Sequence, residues 1–92
     1  MYRVWGKIIK KNSIKESYVY KNNEKLDEAK KLILAVADIC SEFDLQQPIW
    51  LQDHQLDILK YGKTAFKSDH FIEEINFDAL EVEIIEADTP KK

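Results

Sequence analysis

The sequence predicts an α+β domain in which a small antiparallel sheet is covered on one face by a long helix and by one or two shorter helices. Aromatic and β-branched residues are frequent near the N-terminus, apolar and acidic residues alternate near the C-terminus, and apolar residues recur every three or four positions between them. The elements follow the order ββα(α)β, which is typical of the α+β class. Residues 1–88 are predicted to form this single domain, and residues 89–92 a frayed C-terminal tail.

The N-terminal segment predicts a β-hairpin. Residues 2–10 and 14–20 are rich in aromatic and β-branched side chains, which favour strands. Lys11, Asn12 and Ser13 lie between the two segments. Asn tolerates a positive φ angle and Ser can bond to its own backbone, so these residues suit a turn. The hairpin supplies the first two strands of the predicted sheet.

The middle of the chain predicts a long amphipathic helix. Asn22 and Asn23 offer an N-cap, and the acidic residues that follow suit the positive end of a helix dipole. The apolar residues at helical spacing are Leu26, Ala29, Leu32, Ile33, Ala35, Val36, Ile39, Cys40 and Phe43. This stripe predicts that Ile33 and Val36 are buried, whereas Lys30 and Lys31 are expected to be exposed.

The second half of the chain predicts a shorter helix and one more strand. Pro48 disfavours a helical residue before it and so ends the long helix. Asp53 offers an N-cap to a second helix, which extends to Phe66 unless Gly62 stops it. Residues 80–84 alternate between apolar and acidic side chains, which predicts a strand with one buried and one wet face.

The composition excludes several classes of protein. The longest apolar run, residues 32–37, is far too short to cross a membrane. The N-terminal residues interrupt their apolar side chains with charge and lack the pattern of a signal peptide. Cys40 is the single cysteine and cannot form an internal disulfide, which fits a reducing compartment. The sequence therefore predicts a cytoplasmic protein with no membrane partner.

The charge of the chain is split between its two parts. Residues 1–31 hold nine basic and four acidic side chains, and residues 32–92 hold five basic and thirteen acidic ones. If the last strand lies beside the first, Glu81 and Glu83 face Arg3 and Lys7, and opposite charges at facing positions stabilise a ladder. The alternative is a polarised surface that meets a partner.

Strand parity predicts a binding surface on the first strand. If Val4 and Ile8 face the helices, the side chains of Arg3, Trp5, Lys7 and Ile9 point the other way. An exposed Trp among aliphatic residues with a charged rim has the composition of an interaction surface. The competing interpretation is a bulge at Gly6 that turns Trp5 inward.

Two histidines suggest a metal site. His54 with Asp57, and His70 with Glu73 or Glu74, lie three or four positions apart, so each group could present two ligands from one helical face. Short acidic helices produce this spacing by chance, and the two halves need not converge in space. Surface or capping roles for both histidines are the competing interpretation.

Two further motifs carry no function. Gly62, Lys63 and Thr64 resemble the end of a phosphate-binding loop, but that motif needs a second glycine where Asp57 stands. A glycine that ends a helix explains the segment better. Cys40 falls on the apolar stripe of the long helix, where thiols are usually buried and inert, so it is not a predicted nucleophile.

Three segments resemble a group of short, about ninety-residue, uncharacterised bacterial cytoplasmic proteins. The resemblance rests on residues 1–10, on Pro48, Ile49, Trp50 and Leu51, and on residues 71–85, so it spans nearly the whole chain. It implies one intact small domain. It implies no activity, cofactor or catalytic residue.

These observations favour a small non-enzymatic binding or regulatory module that acts through protein contact or self-association and uses no cofactor. The first alternative is a metal-binding protein or metal-dependent enzyme built on His54 and His70. The second is nucleic-acid binding through the basic, aromatic first strand. The acidic remainder of the chain opposes phosphate association, so a nucleic-acid partner is disfavoured.

Overall fold

The computed structural model describes residues 1–25 and 27–86 and confirms the α+β class. The elements are β1 (Tyr2–Lys10), β2 (Ser13–Asn22), α1 (Glu28–Glu42), α2 (Gln52–Tyr61), β3 (Lys63–Lys67), a 3₁₀ turn (Ser68–His70) and β4 (Ala79–Glu86). All neighbouring strands are antiparallel, in the order β2-β1-β4-β3. The last strand therefore lies beside the first, as predicted. The proposed tail at 89–92 and the stripe residue Leu26 lie outside the described residues.

A two-residue turn closes the predicted hairpin. Lys10 pairs with Ser13, and both residues between them, Lys11 and Asn12, have positive φ angles of 52° and 64°. A turn with two positive φ angles matches the right-handed twist of the strands it joins. The twist of β1 and β2 is thus set locally, before either helix packs on them.

Both helices pack on the same face of the sheet, here called the covered face. On β1 this face carries Tyr2, Val4 and Ile8, all of which are buried. Helix α1 lies over β1 and β2, and α2 lies against β3, where the Thr64 hydroxyl donates a hydrogen bond to Asp57 at 3.0 Å. The core lies between the covered face and the helices.

Gly6 lies where α1 packs closely on the sheet. A Cβ atom added at Gly6 would overlap the side chain of Ile39, which favours glycine at this position. The register of β1 shifts between Ile8 and Ile9 and between Arg3 and Val4, and it runs regularly through Gly6. The interpretation of Gly6 as a bulge is therefore wrong.

Helix α1 is shorter than the sequence predicts. Its N-cap is Asp27, whose side chain accepts from the Lys30 amide at 2.8 Å, so the prediction of Asn22 or Asn23 as the cap is wrong. The helix ends at Glu42, ahead of Pro48, and Asp44 has a positive φ of 58°. That left-handed residue redirects the chain before Pro48 can act on the helix.

The buried face of α1 is narrower than its apolar stripe. Val36 is fully buried as predicted, but Ile33 is 55% exposed, so its predicted burial is wrong. A helix that rests on a sheet buries only the side chains that point at the sheet, and the exposure of Ile33 shows that it is not one of them. Lys31, predicted to be exposed, is only 1% exposed, and its Nζ lies 5.7 Å from the centroid of the Tyr2 ring. Its aliphatic stem covers apolar surface.

The structure contains a strand that the sequence did not predict. Gly62 has a φ of 72° and ends α2, as one of the two sequence interpretations expected. The chain then enters β3, so Phe66 lies in a strand and not on a continued helix. The N-cap of α2 is Leu51, with His54 completing the cap, and not Asp53.

Candidate functional site

No helix within the described residues covers the second face of the sheet, here called the open face. It is formed by the side chains that alternate with those of the covered face along each strand. They are Arg3, Trp5, Lys7 and Ile9 of β1, Ile14, Ser17, Val19 and Lys21 of β2, Lys63, Ala65 and Lys67 of β3, and Ala79, Glu81, Glu83, Ile85 and Glu86 of β4. The predicted surface residues Arg3, Trp5, Lys7 and Ile9 all belong to it. Trp5 sits between Val19 and Glu83 on the neighbouring strands.

Lys7 lies at the centre of the open face and is only 7% exposed. Its Nζ lies 2.7 Å from Oε1 of Glu81, 3.2 Å from Oε1 of Glu83 and 4.1 Å from the centroid of the Trp5 ring. Burial lowers the pKa of Lys7, but the hydrogen bonds and charges of the two carboxylates outweigh burial and raise that pKa above 10.5. The ammonium group therefore stays charged and holds β1 to β4.

A second ion pair joins the same two strands near the N-terminus. The Arg3 guanidinium lies 2.6 Å from Oε1 of Glu86, and the terminal amine of Met1 lies 3.6 Å from Oε2 of the same carboxylate. The hydrogen bond from Arg3 lowers the pKa of Glu86. The predicted pairing of Lys7 with Glu81 and Glu83 is confirmed. The expectation that Arg3 faces one of these two acids is wrong, because the register shift between Arg3 and Val4 places Glu86 opposite Arg3.

Apolar side chains occupy the space between these ion pairs. Trp5 and Ile9 are half-buried, and Ile14, Val19 and Ile85 are exposed. Val19 lies directly opposite Trp5, and Ile14 directly opposite Ile9, on the edge strand β2. A large aromatic ring among accessible aliphatic side chains is the arrangement that protein interfaces use as an anchor.

The structure brings the two predicted histidines together. The ring centroids of His54 and His70 lie 4.5 Å apart, edge to face, beside Phe66 and Trp50. Each Nδ1 accepts a backbone hydrogen bond of 2.9 Å, His54 from Leu51 and His70 from Lys67. Both imidazoles therefore cap the start of a helical turn, which requires an unprotonated Nδ1.

The predicted carboxylates do not join the histidines. Asp57 accepts from the Thr64 hydroxyl, and Glu73 accepts from the backbone amide of Gln46 at 2.6 Å. Glu74 lines a cleft beside the end of α1. Among residues 1–25 and 27–86, no three His, Cys, Asp or Glu side chains lie close enough together to hold a metal ion.

The environment of His54 disfavours its charged form. Burial lowers the pKa of His54 below 6.5, and the neighbouring His70 lowers it further. Asp57, Asp53 and a backbone hydrogen bond with Ala65 act in the opposite direction but do not reverse the shift. His54 is therefore held as a neutral cap in a largely apolar cluster.

Two remaining features carry no site. The cleft beside Glu74, of about 500 Å³, is open and lined by acidic and apolar side chains, and the carboxylate of Glu73 in it is already bonded to Gln46. Cys40 is buried in the core, and burial, aided by the charge of Glu73, raises the pKa of its thiol to about 11. A thiol in that state is a poor nucleophile.

Sequence reasoning missed one arrangement and left a second open. It did not foresee that Lys7 is buried on an uncovered face, because that burial needs Trp5, Glu81 and Glu83 to close around one ammonium group. For the two histidines it offered both a metal site and capping or surface roles, and the structure places both rings as caps. The available signal was position, because His54 and His70 each stand three residues after the start of a turn.

Comparison with known protein families, with curated proteins and with solved structures found no match to this chain. Within its described residues, no helix has the length and apolar character needed to span a membrane.

Proposed function

We propose that this chain is a non-enzymatic binding module that contacts a protein through its open face, with Trp5 as the central anchor. The observation that carries the proposal is an uncovered sheet face with a half-buried Trp on a central strand and accessible aliphatic side chains on the strand beside it. Burial of such side chains drives association, at about 25 cal/mol per Å² of apolar surface removed from water.

The fixed positions of the central side chains of the open face support a docking role. Lys7 is held by two carboxylates and by the Trp5 ring, so the central side chains are fixed before a partner arrives. Fixed side chains lose little conformational entropy on binding, which favours affinity. The cross-strand pairs on either side of Lys7 are Trp5 with Val19 and Ile9 with Ile14, and the β2 member of each pair offers accessible apolar surface.

The states of the reactive side chains support a role without catalysis. The Nδ1 atoms of His54 and His70 are occupied by backbone amides, and the thiol of Cys40 is buried with a raised pKa. We place the protein in the cytoplasm as part of the same proposal, since a lone buried thiol suits a reducing compartment.

Site-specific photo-crosslinking tests the proposal in cells that naturally make the protein. A photoreactive benzoylphenylalanine at Val19 on the open face should yield protein adducts that mass spectrometry can identify. The same residue at Leu59, which is 81% exposed on α2, is the matched control and should yield few adducts. Sedimentation equilibrium of the purified chain separates a second copy from a different partner.

Trp5→Glu supplies the decisive comparison. The adducts at position 19 should disappear in this variant, because a charge replaces the anchor. Ile72→Glu makes the same kind of change at an exposed residue outside the sheet and should leave them unchanged. Urea unfolding of each variant confirms that it is folded. Equal adduct yields from positions 19 and 59, unaffected by Trp5→Glu, would refute the open face as a docking surface.

A further inference from the structure

The open face is basic on an acidic protein. Its basic residues are Arg3, Lys7, Lys21, Lys63 and Lys67, and its acidic residues are Glu81, Glu83 and Glu86. The whole chain has 14 basic and 17 acidic side chains, so the positive charge is concentrated on this face. A partner that meets it therefore encounters a field of the opposite sign to that of the rest of the molecule.

The unneutralised charge lies at the two edges of the face. Lys7 pairs with Glu81 and Glu83, and Arg3 pairs with Glu86, so all three carboxylates of the face are engaged in ion pairs within the sheet. The side chains of the three other lysines form no ion pair with any described residue; they are Lys21 on the β2 edge, and Lys63 and Lys67 on the β3 edge. The result is an apolar, internally paired centre between two cationic margins.

A second copy is a poor match for this pattern. Two sheets that stack face to face keep their strands within about 30° of each other. If the two-fold axis runs along the strands, β2 of one copy lies over β3 of the other, which sets Val19 and Ile14 against Lys63 and Lys67. That arrangement buries charged side chains against apolar ones. If the axis runs across the strands at the level of Lys7, Lys63 lies over Lys67 and Glu81 over its own copy, which opposes like charges.

A nucleic acid also matches poorly. Stacking of bases needs a free aromatic face, but the Nζ of Lys7 already lies 4.1 Å from the centroid of the Trp5 ring. Three glutamates run along β4 through the middle of the face, where a phosphate backbone would have to cross. The exposed aliphatic residues Val19, Ile14 and Ile85 favour an apolar partner.

We infer that the partner is a protein segment with an apolar centre flanked by Asp or Glu side chains, placed to meet Trp5 and the lysines at both edges. This inference rests on the proposed function and adds the chemistry of the partner to it. The apolar centre supplies most of the affinity, and the acidic flanks supply orientation and rate of association.

Peptide selection tests this chemistry directly. A random 16-residue peptide library displayed on phage is selected against the full wild-type chain, and the binders are sequenced and synthesised. We expect apolar cores with Asp and Glu enriched at the flanks. Binding should weaken roughly tenfold in the double variant Lys21→Glu/Lys63→Glu, since several exposed ion pairs are lost at once. Lys30→Glu/Lys60→Glu removes two lysines on the helices and is the matched control.

The possible outcomes distinguish a failure of this inference from a failure of the proposed docking function. Acid-flanked peptides that lose affinity in Trp5→Ala and in the lysine double variant support both. Peptides that depend on Trp5 but show no acidic enrichment refute the partner chemistry and leave the docking surface intact. Absence of any Trp5-dependent binder counts against the docking surface itself.

Two further measurements test the alternatives on the same protein. Tighter binding of a fluorescent 15-nucleotide oligo(dT) by wild type than by the lysine double variant would overturn the inference in favour of a nucleic acid. A wild-type dimer in sedimentation equilibrium that Trp5→Ala dissolves would overturn it in favour of a second copy. We expect neither.

Discussion

The two faces of the sheet differ in how their side chains are packed and in what they contact. The covered face is apolar and close-packed, to the point that Gly6 leaves no room for a Cβ beneath Ile39. The open face alternates apolar side chains with ion pairs and is held together by Lys7. The same strands build both, because successive side chains point in opposite directions. Changes on the covered face should therefore cost stability, and changes on the open face should cost association.

The largest expected effect lies on the covered face, at Ile39. Ile39→Ala should lower the free energy of unfolding by about 2–5 kcal/mol, because it removes a fully buried side chain and leaves a cavity. Ile33→Ala on the same helix should cost well under that, since Ile33 is half exposed. Urea unfolding followed by circular dichroism measures both. Equal midpoints for the two variants would contradict the assignment of the buried side of α1.

The next effect is steric and concerns Gly6. Gly6→Ala should lower the free energy of unfolding by roughly 1–3 kcal/mol, because the new methyl group overlaps Ile39. In an Ile39→Ala background the same change should cost much less, since the overlapping atoms are gone. Urea unfolding of the two single variants and the double variant gives the coupling. Strict additivity would show that the contact does not limit the packing of α1.

His54 should make the stability of the fold depend on pH. The folded-state pKa of His54 is lowered below 6.5, so the unfolded chain binds the proton more tightly than the folded chain. The stability that His54 contributes is thus fully present above about pH 6.5 and is lost as the pH falls from there towards the folded-state pKa. On the open face the pKa of Lys7 is raised and that of Glu86 is lowered, so Lys7 and Glu86 stay charged from pH 5 to 8.

Variants can assign this pH dependence to His54. The free energy of unfolding of wild type should decrease between pH 7 and pH 5. His54→Asn keeps an acceptor for the Leu51 amide but does not titrate, so its slope over this interval should be flatter. Titratable groups that face His54 are His70, Asp53 and Asp57, and His70→Asn tests the first of them. If the free energy of unfolding depended on pH in both variants as it does in wild type, His54 and its neighbour His70 would not be the source of the pH dependence.

Periodicity was sufficient to predict most of the sheet. The strand positions, the hairpin turn and the outward direction of Trp5 follow from alternation over β1, β2 and β4. Strand β3 escaped prediction because its five residues offer only one short alternation, and Phe66 continues the apolar spacing of α2. Short strands depend on their neighbours for stability, so local pattern alone does not identify them.

The side-chain environments could be predicted only in part. The charge split indicated that β1 and β4 pair, but the burial of Lys7 depends on three side chains from two strands that meet in space. Lys31 is buried and Ile33 is exposed, the reverse of what was expected, because the placement of α1 on the sheet decides which side of the helix is buried. Gly6 allows close packing there, and its role is visible only once Ile39 lies above it.

The smallest effect tests whether the central charges of the open face act within the molecule. Lys7→Glu should destabilise the chain, and Glu81→Lys should partly restore it, with a coupling of about 1 kcal/mol because one partner is accessible to solvent. The control cycle combines Lys7→Glu with Glu42→Lys at the end of α1, and the effects of these two changes on the free energy of unfolding should be additive. Urea unfolding at low and physiological salt measures each cycle.

The same variants also test association. If the lysine acts only within its own sheet, the swapped double variant Lys7→Glu/Glu81→Lys should recover peptide binding together with stability, because Trp5 and the edge lysines are unchanged. Recovery of stability without recovery of binding would mean that the partner contacts Lys7 directly. The centre of the open face would then contribute to recognition as well as to the strength of the sheet.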